Sequence, residues 1–358
     1  MMTLCRCWLL LTGVCRVLVL ALSASFIVDV AAAQNLSGSV TVHDPSSIVE
    51  QDGTYYLFYT GTRVRTKTST DLLHWTEGPR VFSSPPTWTS MAVPANTTGD
   101  FWAPDIAYFN NLYHLYYSVS TFGSQLSAIG MATTPTLDRN DPAFAWTDHG
   151  PVIKSSNGSL YNTIDPGILQ TSSGDIWMTF GSFWNGIYML QIDPSTGMQM
   201  TRTPLRHIAN NASIEASYDY EKNGNYYLFV NWGECCQGVN STYNIRVGRS
   251  QNPTGPFLDQ NGVDLNASGG TLFLGTEGSF IGPGQISILS AGGSDWFAYH
   301  YYDGNANGAS KLNLRALRWT ADGWPMAGPA FPVPEPTTCS LIISAMLLLF
   351  GLRARWGL

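Results

Sequence analysis

Five short apolar and aromatic runs recur along the chain, each behind a polar turn pair. Tyr55-Tyr56-Leu57-Phe58-Tyr59-Thr60-Gly61 follows Asp52-Gly53, and Tyr113-His114-Leu115-Tyr116-Tyr117-Ser118-Val119 follows Asn110-Asn111. Ile176-Trp177-Met178-Thr179-Phe180-Gly181-Ser182 follows Gly174-Asp175, and Tyr226-Tyr227-Leu228-Phe229-Val230-Asn231-Trp232 follows Gly224-Asn225. The fifth run, Trp296-Phe297-Ala298-Tyr299-His300-Tyr301-Tyr302, follows Gly293-Ser294-Asp295. A turn pair and then an aromatic, β-branched-rich run is the pattern of a strand leaving a hairpin. The runs start at 55, 113, 176, 226 and 296, at intervals of 58, 63, 50 and 70 residues. Familiar propeller repeats are somewhat shorter, at roughly 40–50 residues. Behind the runs come pieces such as Ser69-Thr70-Asp71-Leu72-Leu73-His74-Trp75 and Gly248-Arg249-Ser250-Gln251-Asn252-Pro253, which read as an outer strand and a turn. The region shows no sustained 3.6-residue period, so helices are not its framework. Five units of four short strands predict an all-β, five-bladed β-propeller. A β-sandwich would need only about 100 residues, too few for five copies of the hairpin pattern.

The two ends follow other patterns. Residues 1–33 hold Arg6 and Arg16, an apolar run over 17–28, and Ala31-Ala32-Ala33. This is the layout of a secretory signal peptide cleaved before Gln34. The run falls short of the roughly 20 residues of a membrane span. In the tail, 332–358, Val333-Pro334-Glu335-Pro336 precedes an apolar run over 341–352 and then Arg353 and Arg355. The tail resembles a PEP-CTERM sorting signal. That resemblance implies a bacterial envelope, sorting machinery as a partner, and a protein secreted or briefly tethered, with the arginines on the cytoplasmic side. The propeller domain is then 34–331.

Composition narrows the chemistry. Aromatic residues make up 13% of the chain and charged residues only 12%, against a usual charged share of about 25%. The net charge is −7, which argues against nucleic-acid binding, since that needs a basic face. Many aromatics with little charge suit a protein that handles neutral sugars. Of six cysteines, only Cys235 and Cys236 fall within the domain. They are adjacent and lack zinc-ligand spacing. Two readings stay open for them: a vicinal disulfide formed in an oxidising compartment, or two free buried thiols.

Each of the first four units carries an acid ahead of its aromatic run. The settings are Val42-His43-Asp44-Pro45, Trp102-Ala103-Pro104-Asp105, Thr163-Ile164-Asp165-Pro166-Gly167 and Ser213-Ile214-Glu215-Ala216. Each acid lies about 10 residues upstream, on the preceding and innermost strand of its blade. A lone Asp-Pro is a turn former. Four acids at matching places in successive blades instead converge on one axis. Glycoside hydrolysis needs such convergence, since one carboxylic acid protonates the leaving oxygen while one carboxylate acts on the other side of the sugar. Clustered carboxylates also push their pKa values apart.

These four motifs together resemble glycoside hydrolase family 43, and longer stretches are similar to its endo-α-1,5-L-arabinanases. They include Leu115-Tyr116-Tyr117-Ser118-Val119-Ser120-Thr121-Phe122-Gly123, Phe180-Gly181-Ser182-Phe183-Trp184, Asn231-Trp232-Gly233-Glu234-Cys235-Cys236 and Ser241-Thr242-Tyr243. The likeness covers about residues 40–328. It implies a propeller that cleaves internal arabinan bonds with inversion. Asp44 is then the general base, Glu215 the general acid, and Asp165 the residue that tunes and orients the acid. It implies substrate contacts at Asn162, Ser182, Phe183 and Trp184, with Trp102, Phe122 and Gly123 lining the same groove. Asp105 becomes a supporting residue, and His43 a packed, hydrogen-bonded neighbour of the base. One position departs from the family pattern. Its axial Gly-x-Gly-His reads Gly282-Pro283-Gly284-Gln285 here. Gln285 can offer a carbonyl oxygen to an axial Ca²⁺ but no imidazole. Two alternatives remain: an exo-acting α-L-arabinofuranosidase or β-xylosidase with the same three acids, and a sugar-binding propeller without catalysis. The partner expected is arabinan or an arabino-oligosaccharide, bound by a monomer.

Overall fold

The strands predicted behind the five turn pairs are present at Thr54–Tyr59, Leu112–Val119, Ile176–Phe180, Asn225–Trp232 and Ser294–Asp303. They belong to a computed structural model that describes residues 36–331. The expected signal peptide and sorting tail lie outside the described residues. Among the described residues, no helix is long and apolar enough to cross a membrane.

Each strand belongs to a separate sheet next to its long or short inner strand, and the five sheets are the blades of a β-propeller; in blade two the pair Gly61–Thr62 adds to the end of the inner strand. In the third blade the order is Gly167–Gln170, Ile176–Phe180, Ile187–Ile192 and Arg206–Ala209, from the axis outward. The fourth and fifth blades repeat this order, starting from Ile214–Lys222 and Phe280–Ala291. The second blade starts from Asp100–Phe109, and the first from the short strand Val49–Gln51.

A second strand in a propeller is covered by neighbouring blades on both faces. That is why the runs are continuously apolar rather than alternating. Seven of the eight residues of Leu112–Val119 are buried. The core is accordingly divided into five clusters, one at each blade-to-blade contact. Phe58, Val64, Phe101 and Leu115 join blades one and two. Ile129, Met131, Met178 and Leu190 join two and three. Burying each such side chain contributes about 1.5–3 kcal/mol.

Closure of the ring falls to the first described residues. Ser37–Gly38 pairs in parallel with His74–Glu77, the outer strand of blade one. The Leu312 N–H of blade five then donates to the Val40 carbonyl at 2.8 Å. Leu36, Val40, Leu57, Leu312 and Leu314 pack over this seam.

Candidate active site

The innermost strands share an irregularity. In blade two, Ala103 and Pro104 face the single residue Tyr117; in blade four, Ala216 and Ser217 face Val230; in blade five, Gln285 and Ile286 face Tyr299. Each is a β-bulge, which bends the strand and re-aims a side chain. The first bulged residue has positive φ: 40° at Ala103, 53° at Ala216 and 53° at Gln285. Asp44 at 51° and Asp165 at 59° share this left-handed conformation. Non-glycine residues adopt it uncommonly.

This geometry changes the register expected of the four acids. Asp44 and Asp165 precede the first paired residues of their strands but hold the equivalent position, since the Thr60 N–H donates to the His43 carbonyl at 3.1 Å and the Gly181 N–H to the Ile164 carbonyl at 3.0 Å. Glu215 stands one residue before the bulged position, beside Ala216. Asp105 stands two residues after Ala103. Asp44, Asp165 and Glu215 line a cavity of about 930 Å³, and Asp105 does not. Trp102, Phe122, Gly123, Asn162, Ser182, Phe183, Trp184 and Gln285 all line this same cavity. Phe122 and Trp184 are exposed. Consecutive left-handed residues, Phe183 and Trp184, make the turn that presents the Trp184 ring. Asn162 is buried, and its Oδ1 accepts the Ser127 hydroxyl at 2.7 Å.

The three acids sit in different environments. Asp44 Oδ1 lies 2.8 Å from His43 Nδ1, and Oδ2 accepts the Thr60 hydroxyl at 2.6 Å. Burial acts to raise its pKa, but the charge and hydrogen bond of His43, with the Thr60 hydroxyl, outweigh it and hold the carboxyl down at about 2. His300 Nδ1 accepts the Asp44 N–H at 3.1 Å. The 3.6 Å approach of that nitrogen to Asp44 Oδ1 is therefore not an ion pair. Its lone pair is engaged, and burial drives the ring strongly toward the neutral form.

Glu215 Oε2 accepts the Ser182 hydroxyl at 2.8 Å, and Oε1 accepts the Tyr243 hydroxyl. Burial dominates here and raises the Glu215 pKa against those two bonds. Burial also raises Asp165 well above the carboxylate range, helped by the charges of Glu215 and Asp44. Asp165 Oδ2 accepts the N–H of Ala216, the residue next to Glu215, at 3.1 Å. The site thus holds one carboxylate kept ionised and a buried carboxyl pair biased toward protonation.

Cys235 and Cys236 are joined in a vicinal disulfide at the cavity wall, which decides between the two readings of that pair. Thr60, Tyr243, His300 and Tyr302 gave no signal in sequence spacing. They come from the ends of second strands or the approach to a third, and only the fold brings them to the acids.

Comparison with known proteins agrees with this geometry. The sequence profile of glycosyl hydrolases family 43 matches residues 36–325. The extracellular exo-α-(1→5)-L-arabinofuranosidase of Cellvibrio japonicus is 38% identical over 300 residues, covering 80% of this chain and 86% of that protein. The extracellular endo-α-(1→5)-L-arabinanase 1 of Bacillus subtilis is 39% identical over 292 residues, covering 79% and 87%. The crystal structure of an exo-1,5-α-L-arabinanase from a bovine ruminal metagenomic library superposes with a TM-score of 0.78 at 38% identity, covering 83% of this chain and 99% of that one.

Proposed function

Because the chain belongs to glycosyl hydrolases family 43 and is a glycosidase, we propose that it hydrolyses internal α-1,5-L-arabinofuranosidic bonds of arabinan with inversion. The observation that carries this reading is the contrast between Asp44, held ionised, and Glu215, biased toward its protonated form, in one sugar-sized cavity. In this mechanism Asp44 deprotonates a water on one face of the sugar, and Glu215 protonates the leaving oxygen on the other. Asp165 keeps Glu215 in place through the Ala216 N–H, and the Asp44 charge adds to burial in raising the Glu215 pKa. Phe122 and Trp184 offer faces for furanose rings. The Asn162 amide and Ser182 offer polar contacts.

The axial Ca²⁺ belongs to the proposal in the form these residues allow. Gln285 is buried in the cavity wall, and its side-chain amide has no hydrogen-bond partner among the described residues. It supplies one oxygen to an ion that takes six to eight, so the rest would be water. When bound, such an ion supplies positive charge that favours ionised carboxylates.

We place the enzyme outside the cytoplasm. The vicinal disulfide suits an oxidising compartment, and the Cellvibrio and Bacillus relatives are named extracellular. Delivery by the 1–33 signal and handling of 332–358 by sorting machinery complete the proposal.

Those two relatives differ in being exo- and endo-acting, so product size is the decisive measurement. Digestion of linear debranched arabinan is expected to give a ladder of oligosaccharides at early times. A single small product throughout would establish exo action instead. Asp44→Ala is expected to be folded and inert. Near wild-type turnover by that variant would remove Asp44 as the base. Binding of arabino-oligosaccharide with no product from the unaltered enzyme would reduce the protein to a sugar-binding propeller.

A further inference from the structure

We propose that Tyr302 is a positioning residue for Asp44, and that the Cys235–Cys236 disulfide is the anchor that holds Tyr302 to this task. The inference rests on the reading of Asp44 as base, and it adds a route from the cavity wall to that base.

The route is a directed chain of hydrogen bonds. The Cys236 N–H donates to Tyr302 Oη at 2.7 Å. Tyr302 Oη lies 2.8 Å from His43 Nε2, and His43 Nδ1 lies 2.8 Å from Asp44 Oδ1. A phenol oxygen that accepts from a backbone amide still has its own proton to give. His43 Nε2 is its acceptor among the described residues. Reversing the bond, so that Nε2–H donates to the phenol, would leave the phenol proton without an acceptor there. With Nε2 accepting, the neutral imidazole carries its proton on Nδ1, facing Asp44, whose charge and hydrogen bond raise the His43 pKa against burial. Tyr302 therefore fixes the tautomer of the ring that holds the base. That ring is clamped on its face as well, stacked on His300 at 4.0 Å.

The anchor end has no freedom to drift. A bond between neighbouring cysteines closes a small ring around the peptide that joins them, so the Cys236 N–H keeps its direction. Cys236 has φ of 67°, sparsely populated for a residue with a Cβ. Its sulfur lies 3.9 Å from His43 Nε2. On the other side, Tyr302 abuts Gly282, where an added Cβ would stand 3.2 Å from the phenol ring. Cutting the disulfide frees the Cys236 N–H, and the phenol loses the donor that sets its direction.

The test uses the purified full-length chain on linear arabinan. Tyr302→Phe keeps the ring and loses one hydroxyl. Its kcat is expected to fall about tenfold, the worth of one buried hydrogen bond, with KM and melting temperature unchanged. Reduction of the unaltered enzyme by a small dithiol is expected to lower kcat to a similar level. Two electrons and two protons convert Cys235–Cys236 to thiols while the dithiol closes to its own disulfide, and reoxidation restores activity. In Tyr302→Phe the same reduction, confirmed by thiol titration, is expected to add no further loss, because both changes break one chain. A Tyr302→Phe enzyme within twofold of the unaltered one overturns the proposal. So does a KM rise with kcat held, which makes Tyr302 a sugar contact, and so does a reduction effect undiminished in the variant. If the unaltered enzyme releases no arabino-oligosaccharide, it is the proposed function that fails, and that result is read before the variant is compared.

Discussion

Asp105 offers the cleanest measure of how the ring holds its site together. Its Oδ1 accepts the Ser47 N–H and its Oδ2 the Ile168 N–H, both at 2.8 Å. Ser47 lies three residues past Asp44, and Ile168 three past Asp165. One carboxylate on blade two therefore ties blades one and three at the level of Asp44 and Asp165. It is 3% exposed. Asp105→Ala would leave two inward-facing amide protons opposite a methyl group. Each buried donor without an acceptor costs about 1–3 kcal/mol, so the gross loss is roughly 2–6 kcal/mol. Burial raises the Asp105 pKa against its amide bonds, so removing the carboxylate relieves a desolvation cost and offsets part of that loss. A net destabilisation of about 2–4 kcal/mol follows. At about 2–4 °C per kcal/mol, the melting temperature should fall by roughly 4–16 °C. Asp105→Asn keeps one acceptor and turns an NH₂ toward the other donor, so it should fall between the two. Calorimetry on the three proteins, with arabinan turnover measured well below each transition, is the assay. Turnover should drop in both variants, because the strands that carry Asp44 and Asp165 lose a common support. An Asp105→Ala protein melting within about 1 °C of the unaltered one would show that the two amides find other partners and that the tie is decorative.

Two further outcomes follow from the site. The pH profile of kcat/KM should be a bell. Its acidic limb reports Asp44, held down at about 2, so activity should persist well below the usual carboxylate range. Its alkaline limb reports Glu215, raised from its ordinary value, and Ser182→Ala should move that limb upward, because the Ser182 hydroxyl stabilises the ionised form. A downward move would reverse the assigned role of that bond. Extensive EDTA treatment should lower turnover, with Ca²⁺ but not Mg²⁺ restoring it, because Mg²⁺ demands a tighter octahedron. Unchanged turnover and melting temperature would remove the ion from the proposal.

The blade framework was legible because its cause is local. A strand covered on both faces must be apolar throughout, and a hairpin must turn on residues such as Asp-Gly or Asn-Asn. The convergence of Asp44, Asp165 and Glu215 was legible for the same reason. Their exact register was not. From each acid to the start of the next aromatic run the distances are 11, 8, 11 and 11 residues for Asp44, Asp105, Asp165 and Glu215. The short interval already sets Asp105 apart. The equal count for Glu215 hides its one-residue offset, because hairpin lengths differ between blades and a bulge adds a residue that spacing cannot reveal. Tyr302 and His300 were hidden differently. They end the fifth aromatic run, where their residue types suit a buried strand, and their partners His43 and Asp44 are more than 250 residues away.

The bulge explains how one repeated element yields two chemistries. A side chain at the bulged position meets whatever the neighbouring blades present to the axis. For Asp44 that is the His43 imidazole and the Thr60 hydroxyl, both favouring the carboxylate, beside a neutral His300 that accepts the Asp44 N–H. In blade four the bulged residue is Ala216, too small to reach the cavity, and the preceding residue, Glu215, reaches it instead. That single step brings Glu215 against Tyr243 and Ser182 in a setting where burial prevails. It also leaves the Ala216 N–H free to be taken by Asp165, the bulged residue of the next blade round. The acid is therefore oriented by the backbone of its own bulge. Exchanging the bulged residues of blades three and four would not exchange their roles, because of these two only Ala216 gives its neighbour room to point inward.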